Sequence, residues 1–286
     1  MSIIFKDYPI KNNQSYIKNV QVADERYREF QTRGPLGAVL HSIGTPQPHA
    51  SMVASYFNDP KVEASVHMIL EPTGSCYRLA PDNYRMWHVG GSANNTHMGI
   101  EMTEPRGISY DPSKGYRVTI LDQGEALAHV TATYDRAVEL FADLCIKYGW
   151  DPLKDGVILS HKECYDRGIG SNHGDPEHLW KALSLDYTMD TFRADVAAAV
   201  KRIQNQEEEE EMTIRTMADL RALPNGRYYL PTIQKLIDHG FLLGKGGTGD
   251  DFILDFTEGE IRILVLLDRF GTIDLAIKGK ETEENP

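Results

Sequence analysis

Short, continuous apolar runs constrain the fold of this chain more than any other feature. Leu36-Gly-Ala-Val-Leu-His41, Ala64-Ser-Val-His-Met-Ile-Leu70 and Met98-Gly-Ile-Glu-Met102 read as short buried strands, and Val157-Ile-Leu-Ser160 is a further strand-like run. Helical patterns follow them. From Gln123 to Tyr148, Leu127, Val130, Tyr134, Val138, Phe141 and Cys145 fall at helical spacing, and Gly149 stands where a C-capping glycine ends a helix. A second amphipathic helix is expected from about Thr188 to Arg202, with Phe192, Val196 and Val200 on one face. Strands mixed with covering helices predict an α/β domain built around one sheet.

The chain has 286 residues, which suits two domains. Residues 203–212 carry a run of five glutamates without Gly or Pro, between a helical segment and a new apolar pattern, and read as an acidic linker. The expected division is therefore 1–202, a linker over 203–212, and a small separate α+β or helical domain over 213–286. In that last part Pro231 to Gly240 reads as a short helix with a glycine stop. Glu260 to Asp268 reads as a helix or a buried strand, which periodicity does not separate. The Gly-rich stretch from Gly244 to Asp251 does not fit the spacing of a phosphate-binding loop and reads as a turn.

A net charge of −12 argues against nucleic acid as the main partner, because phosphate binding needs a basic surface. No apolar run approaches the ~20 residues that cross a bilayer, so no membrane insertion is expected. The N-terminal Met1-Ser-Ile-Ile-Phe-Lys-Asp-Tyr offers no basic region and no small-residue cleavage site, which predicts synthesis in the cytoplasm without a signal peptide. Cys76, Cys145 and Cys164 are odd in number and widely spaced, as reduced thiols are.

Two histidines and a carboxylate, His161, His173 and Asp175, lie in one short Gly-containing stretch and suggest a metal site. A zinc hydrolase uses three His, Cys or carboxylate ligands and leaves a fourth position to water. His41 closes one apolar run and His161 follows another, so both stand at strand ends. Cys164 competes with Asp175 as a third ligand.

Val39-Leu-His41-Ser, Ala64-Ser-Val-His67, Trp87-His88-Val-Gly90, Gly99-Ile-Glu101, Ser160-His161 and His173-Gly-Asp175-Pro176, in that order, resemble the type 2 N-acetylmuramoyl-L-alanine amidases, whose fold is shared with peptidoglycan-recognition proteins. The resemblance covers most of residues 30–182. It implies a central mixed sheet flanked by helices, Zn2+ held by His41, His161 and Asp175, and Glu101 as the base that activates water. It sets Cys164 aside as a packing residue. Many members carry a lysine two residues before the third ligand; here that position is His173, which is expected to hold the oxyanion. Because histidine loses its charge near neutral pH, activity is expected to fall more steeply on the alkaline side than with lysine. His88 and His67 fall in motifs near the cleft: His88 is expected to line it and contact the glycan or peptide, while His67, alternating with apolar Val66 and Met68, reads as structural, with substrate contact as its alternative. Trp87 reads as packing.

The activity implied is hydrolysis of the amide between N-acetylmuramic acid and L-alanine in bacterial peptidoglycan, as in a phage or prophage endolysin acting on the wall after release. A cytoplasmic muropeptide-recycling amidase and a non-catalytic recognition module are the alternatives. The tail has the position of a cell-wall-binding or oligomerisation module. Met212 directly after the glutamate run would serve as an internal start, giving a separately translated C-terminal domain that associates with the full chain.

Overall fold

The computed structural model describes residues 3–284 apart from 23, 115, 116 and 212. The chain divides into two compact units, Met1–Val200 and Lys201–Pro286. The first contains β1 (Ile4–Asp7), α1 (Gln14–Gln21), α2 (Glu25–Arg33), β2 (Gly37–Ser42), α3 (Ala50–Phe57), β3 (Met68–Leu70), β4 (Ser75–Arg78), β5 (His97–Met102), β6 (Ile108–Asp111), β7 (Arg117–Ile120), α4 (Gln123–Tyr148), β8 (Ile158–Ser160), α5 (His161–Asp166) and α6 (Glu177–Ala182). Helix α7 (Met189–Glu211) begins there and continues past its boundary.

Six strands form one mixed sheet in the order β1-β4-β3-β5-β2-β8. Only the β3–β4 pairing is antiparallel. Every residue of β2 and β5 is buried, as interior strands covered on both faces require, so both read as continuous apolar runs. His41 and Glu101 are the polar exceptions that matter below. The long helix α4 starts at Asp122, whose carboxylate accepts from Glu125 N, and stops at Gly149 in the left-handed conformation. Its Phe141 meets Phe192 of α7 edge-on at 5.2 Å, and both are fully buried. Truncating either would cost about 3–5 kcal/mol.

Three expectations change. The strand expected over 64–70 is regular only at Met68–Leu70, because Ser65 N donates to Trp87 O and His67 N to Gly99 O, outside a continuous ladder. Leu127 lies outside the buried face of α4, to which Ala126 belongs instead. The acidic run expected to be a linker is the last part of α7, which is helical through Glu211; glutamate is a good helix former and nothing in the run breaks the helix. Met212 lies outside the described residues.

The second unit contains β9 (Thr213–Thr216), α8 (Met217–Ala222), α9 (Gly226–Asp238), β10 (Ile253–Thr257), α10 (Glu258–Arg269) and α11 (Thr272–Glu284). Antiparallel β9 and β10 and the helices enclose a core of Ile214, Met217, Leu220, Tyr229, Ile233, Leu254, Ile261 and Val265. The ambiguous segment at 260–268 is helix α10. A capping box decides it: Thr257 Oγ accepts from Glu260 N at 3.1 Å while the Glu260 carboxylate accepts from Thr257 N at 2.8 Å. Helix α9 starts five residues before Pro231, whose missing N–H removes one intrahelical bond and whose ring crowds the carbonyl four residues back. No helix of the described residues is long and apolar enough to cross a membrane.

Candidate metal centre and cleft

Strand register assembles the floor of the site. On parallel β2 and β5, His41 pairs with Glu101. On parallel β2 and β8, Leu40 pairs with Ser160, so the next residue, His161, comes level with His41. There the chain turns at once into α5: Ser160 Oγ accepts from Glu163 N at 3.0 Å, and the Glu163 carboxylate accepts from Ser160 N at 3.1 Å. His161 is thus the first residue of a capped helix and not part of an irregular loop. These groups stand at the carboxyl ends of adjacent parallel strands, where open α/β sheets place ligands.

Asp175 completes a compact group. Its Oδ2 lies 3.1 Å from His41 Nδ1, its Oδ1 lies 3.4 Å from His161 Nδ1, and the two Nδ1 atoms are 3.1 Å apart. All three residues are buried, and one ligand atom from each falls within 4.8 Å of the others, a group that could hold a metal ion. The outer partners agree with that. His88 Nε2 donates to His97 O at 3.0 Å, which leaves His88 Nδ1 as the acceptor for His41 Nε2–H, also at 3.0 Å. His41 Nδ1 is then a bare lone pair facing a carboxylate. Acceptors crowded together without a proton between them fit a cation, and imidazole with carboxylate suits zinc. Burial opposes ionisation of Asp175, but the imidazoles of His161 and His41 against its oxygens hold its carboxyl well below the usual range. Burial pushes His41 down, keeping it neutral as a ligand must be.

A cleft of about 730 Å³ opens over this group. Glu101 lines it; burial first, then the charges of Asp175 and Glu104, raise its carboxyl well above the usual value. Its Oε2 is buried without a hydrogen-bond partner among the described residues. His173 also lines the cleft, with its ring 4.3 Å from that of His161 and its Nδ1 3.0 Å from Ser171 Oγ. Burial and the neighbouring His161 lower its pKa.

The structure brings His41, Glu101, His161, His173, Asp175 and His88 to one cleft and leaves His67 out of its lining. His67 is wholly buried, bonded through Nε2 to Tyr84 O at 2.7 Å and through Nδ1 to Gly99 N at 3.0 Å, with both ring nitrogens used. This fits its structural reading and corrects the alternative of a substrate contact; burial lowers its pKa to about 4. His88 lines the cleft, yet both its ring nitrogens are engaged inside the protein, so its polar contacts serve His41. Gly99 admits that ring: a Cβ there would lie 2.4 Å from His88 Cγ. Trp87, expected to pack, is 42% exposed on the cleft rim, with the Arg85 guanidinium 5.6 Å from its ring. Cys164 packs with Val39, Val89, Ala93 and Leu159, and burial pushes its thiol up to about 12.

Residues 31–178, just over half of the chain, match the family described as N-acetylmuramoyl-L-alanine amidase. The chain belongs to the type 2 amidase family. A curated relative, the N-acetylmuramoyl-L-alanine amidase BlyA of Bacillus subtilis, is 26% identical over 143 residues, 47% of this chain and 37% of BlyA. The chain therefore matches little more than a third of that relative. Among solved structures, the Staphylococcus aureus hydrolase AmiA is 16% identical, with 72% of this chain and 86% of AmiA covered at a TM-score of 0.49. A mutant endolysin from Bacillus subtilis is 18% identical, with 68% of this chain and 99% of that one covered at a TM-score of 0.42.

In this type 2 amidase family member the opposite wall holds groups that sequence reasoning missed. Tyr110 of β6 and His178 of α6 line the cleft; the Tyr110 hydroxyl lies 2.7 Å from Glu104 Oε2 and 2.9 Å from His178 Nε2. Glu104 is fully buried, accepts from Gly44 N at 3.1 Å, and has its pKa raised to about 7 by burial. One signal was available: Glu104 stands three residues after Glu101, at the exit of the same apolar run. Tyr110 and His178 carried none, because only the hairpin β6–β7 and the turn into α6 bring them to the cleft.

Proposed function

We propose that this protein hydrolyses the amide between N-acetylmuramic acid and L-alanine in bacterial peptidoglycan, with zinc held by His41, His161 and Asp175. The observation that carries the reading is the buried His-His-Asp group with both Nδ1 atoms turned toward one carboxylate, beneath a cleft that also holds a carboxylate of raised pKa. When bound, zinc would polarise the scissile carbonyl and lower the pKa of water to ~7. Glu101 accepts the proton of the attacking water and passes it to the leaving amine; a raised pKa suits a group that must hold that proton between the two steps. His173 donates to the carbonyl oxygen as it becomes negative. The exposed Trp87 face supports a contact with the sugar on its side of the cleft.

The second unit is proposed to tether the enzyme to the wall or to join copies of it, which raises local concentration without a new active-site contact. Its α10 leaves Ile263, Leu266 and Leu267 exposed, with Phe270 exposed just past its end, which favours association. Synthesis in the bacterial cytoplasm with action on the wall after release, as in a phage endolysin, and a separate product beginning at Met212 belong to the same proposal. Expression of a Met212→Leu variant tests the latter: a small C-terminal product from the parent that persists unchanged in the variant removes it.

The deciding experiment is release of new L-alanine amino termini from purified cell walls, with and without a chelator. Release that the chelator abolishes is expected. Release only from soluble fragments would favour the recycling enzyme, and none at all the recognition module.

A further inference from the structure

We propose that Arg85 is a positioning residue that holds the Trp87 indole in place as a platform for a sugar ring of the glycan. This deepens the reading of the cleft as a peptidoglycan site and rests on it. Arg85 is only 2% exposed, and burying a charge is costly unless other groups answer it. Asp24, an acidic group whose charge acts on Arg85, is itself paired with Arg26. The guanidinium is met instead by Asn95 Oδ1, which accepts from its Nε at 2.7 Å, and by two rings, Tyr27 at 4.8 Å and Trp87 at 5.6 Å. Tyr27 is buried, so the side of Arg85 away from the cleft is fixed. Trp87 is the one of its partners that lines the cleft.

The backbone around the indole is held without the guanidinium. The Asn19 carboxamide accepts from Arg85 N at 2.9 Å and donates to Arg85 O at 2.8 Å. Trp87 N donates to Ser65 Oγ at 2.8 Å, and Trp87 O accepts from Ser65 N at 2.8 Å. His88 N and Val89 N both donate to Asn94 Oδ1 at 3.0 Å. Asn19, Ser65 and Asn94 are fully buried. These bonds leave open the rotation of the exposed indole about its own side-chain bonds, and a flat cation over its ring limits that rotation. The occupant follows from the chemistry of the cleft. Tyr110 and His178 give one wall the hydrogen-bonding groups that a peptide backbone needs, whereas Trp87 presents an aromatic surface. The C–H face of a pyranose ring suits the negative face of an indole. A ring already ordered spares the ligand the cost of ordering it, so loss of Arg85 should reach the sugar and leave the metal centre alone.

The test uses the full chain as parent, Arg85→Met, Trp87→Ala and the double variant. Two probes that lack the scissile amide are titrated by calorimetry: the peptide-free disaccharide of N-acetylglucosamine and N-acetylmuramic acid, and a free L-alanyl stem peptide. Trp87→Ala is expected to weaken the disaccharide about tenfold, the worth of one aromatic contact. Arg85→Met keeps a buried stem and should weaken it about twofold to tenfold, the cost of ordering one side chain on binding. In the Trp87→Ala background the Arg85 change should add nothing, and the stem peptide should bind all four proteins alike. Zinc affinity, read by chelator competition, should not show the ~10–100-fold loss that follows removal of a ligand's outer partner, because Asn94 holds His88 in every variant. No disaccharide binding by the parent, parental disaccharide affinity in Arg85→Met, an equal loss in both backgrounds, or a loss shared by disaccharide, peptide and zinc overturns the proposal. If circular dichroism shows Arg85→Met unfolded, Arg85→Lys, which keeps the charge without the flat guanidinium, is judged by the same criteria. Release of L-alanine amino termini from cell walls is followed on the parent. Its absence with the disaccharide still bound removes the amidase reading and leaves the platform; release without disaccharide binding removes the platform alone.

Discussion

The floor of the cleft and its walls are built by different means. The floor, His41, His161 and Glu101, is set by the register of three adjacent parallel strands, so its geometry is inherited from the sheet's backbone ladder. The walls, Ser171 to Asp175 on one side and Tyr110 with His178 on the other, are held by side-chain hydrogen bonds across loops. A backbone ladder places groups independently of their side chains. A side-chain network moves when one member changes. Floor substitutions should therefore delete a function while the fold stays, and wall substitutions should change function and stability together.

The largest effects belong to the floor. His41→Ala removes one of three ligand atoms and should weaken zinc binding by well over the ~100-fold that loss of an outer partner costs, measured by chelator competition. Glu101→Ala should separate the two jobs of the floor, leaving zinc bound while turnover falls by about 100-fold to 10,000-fold. Its unpartnered carboxylate oxygen predicts little loss of stability, or a gain, since a buried group without a bond is costly. An active, zinc-replete Glu101→Ala protein would remove Glu101 as the base.

A smaller effect is expected at the wall, and it depends on pH. The Glu104 carboxyl is raised in the folded protein to about 7 from an ordinary value of 4.5. A folded-state pKa above the unfolded one means that the native state binds the extra proton, so the associated stability is present below pH ~4.5 and lost as pH rises through ~7. Glu104→Gln keeps an acceptor for Gly44 N and cannot ionise. Its melting temperature should fall less than the parent's between pH 5 and 7, and thermal melts across that window check it; parallel curves would mean that Glu104 does not titrate there.

The same contrast explains what could be read in the residues alone. His41, Glu101 and His161 were legible because a polar residue inside or at the end of a continuous apolar run stands out, and their order matched a known family. Helix α4 was legible to its last residue because Asp122 and Gly149 cap a clear periodicity. Ser171, Tyr110 and His178 were not legible, since their meaning includes partners as far as 10 positions away for Ser171–His161 and 68 for Tyr110–His178. Trp87 was misjudged because alternation along an irregular segment does not say which side chain faces the cleft, and here the indole lines it, while the His67 imidazole, read as structural, is sealed inside. The glutamate run reads as a linker from its charges alone, and its helical backbone, an extension of α7, is not visible in them.

The smallest effect sharpens the boundary between floor and core. Cys164 lies one turn along α5 from His161 and is by chemistry a better zinc ligand than a carboxylate, so it had to be weighed against Asp175. Its side chain is instead fully buried among Val39, Val89, Ala93 and Leu159, and its thiol is held protonated by burial. Its sulfur is packed among apolar side chains and is not among the converging ligand atoms of His41, His161 and Asp175. Cys164→Ala should then cost about 1 kcal/mol of stability, as removal of one buried heavy atom does. Zinc affinity and turnover should remain within about twofold of the parent, because the strands that place His41 and His161 do not depend on it. Chemical denaturation and chelator competition on the same preparation give both numbers. Loss of zinc binding with the fold intact would move Cys164 into the metal centre and break the separation of floor from core.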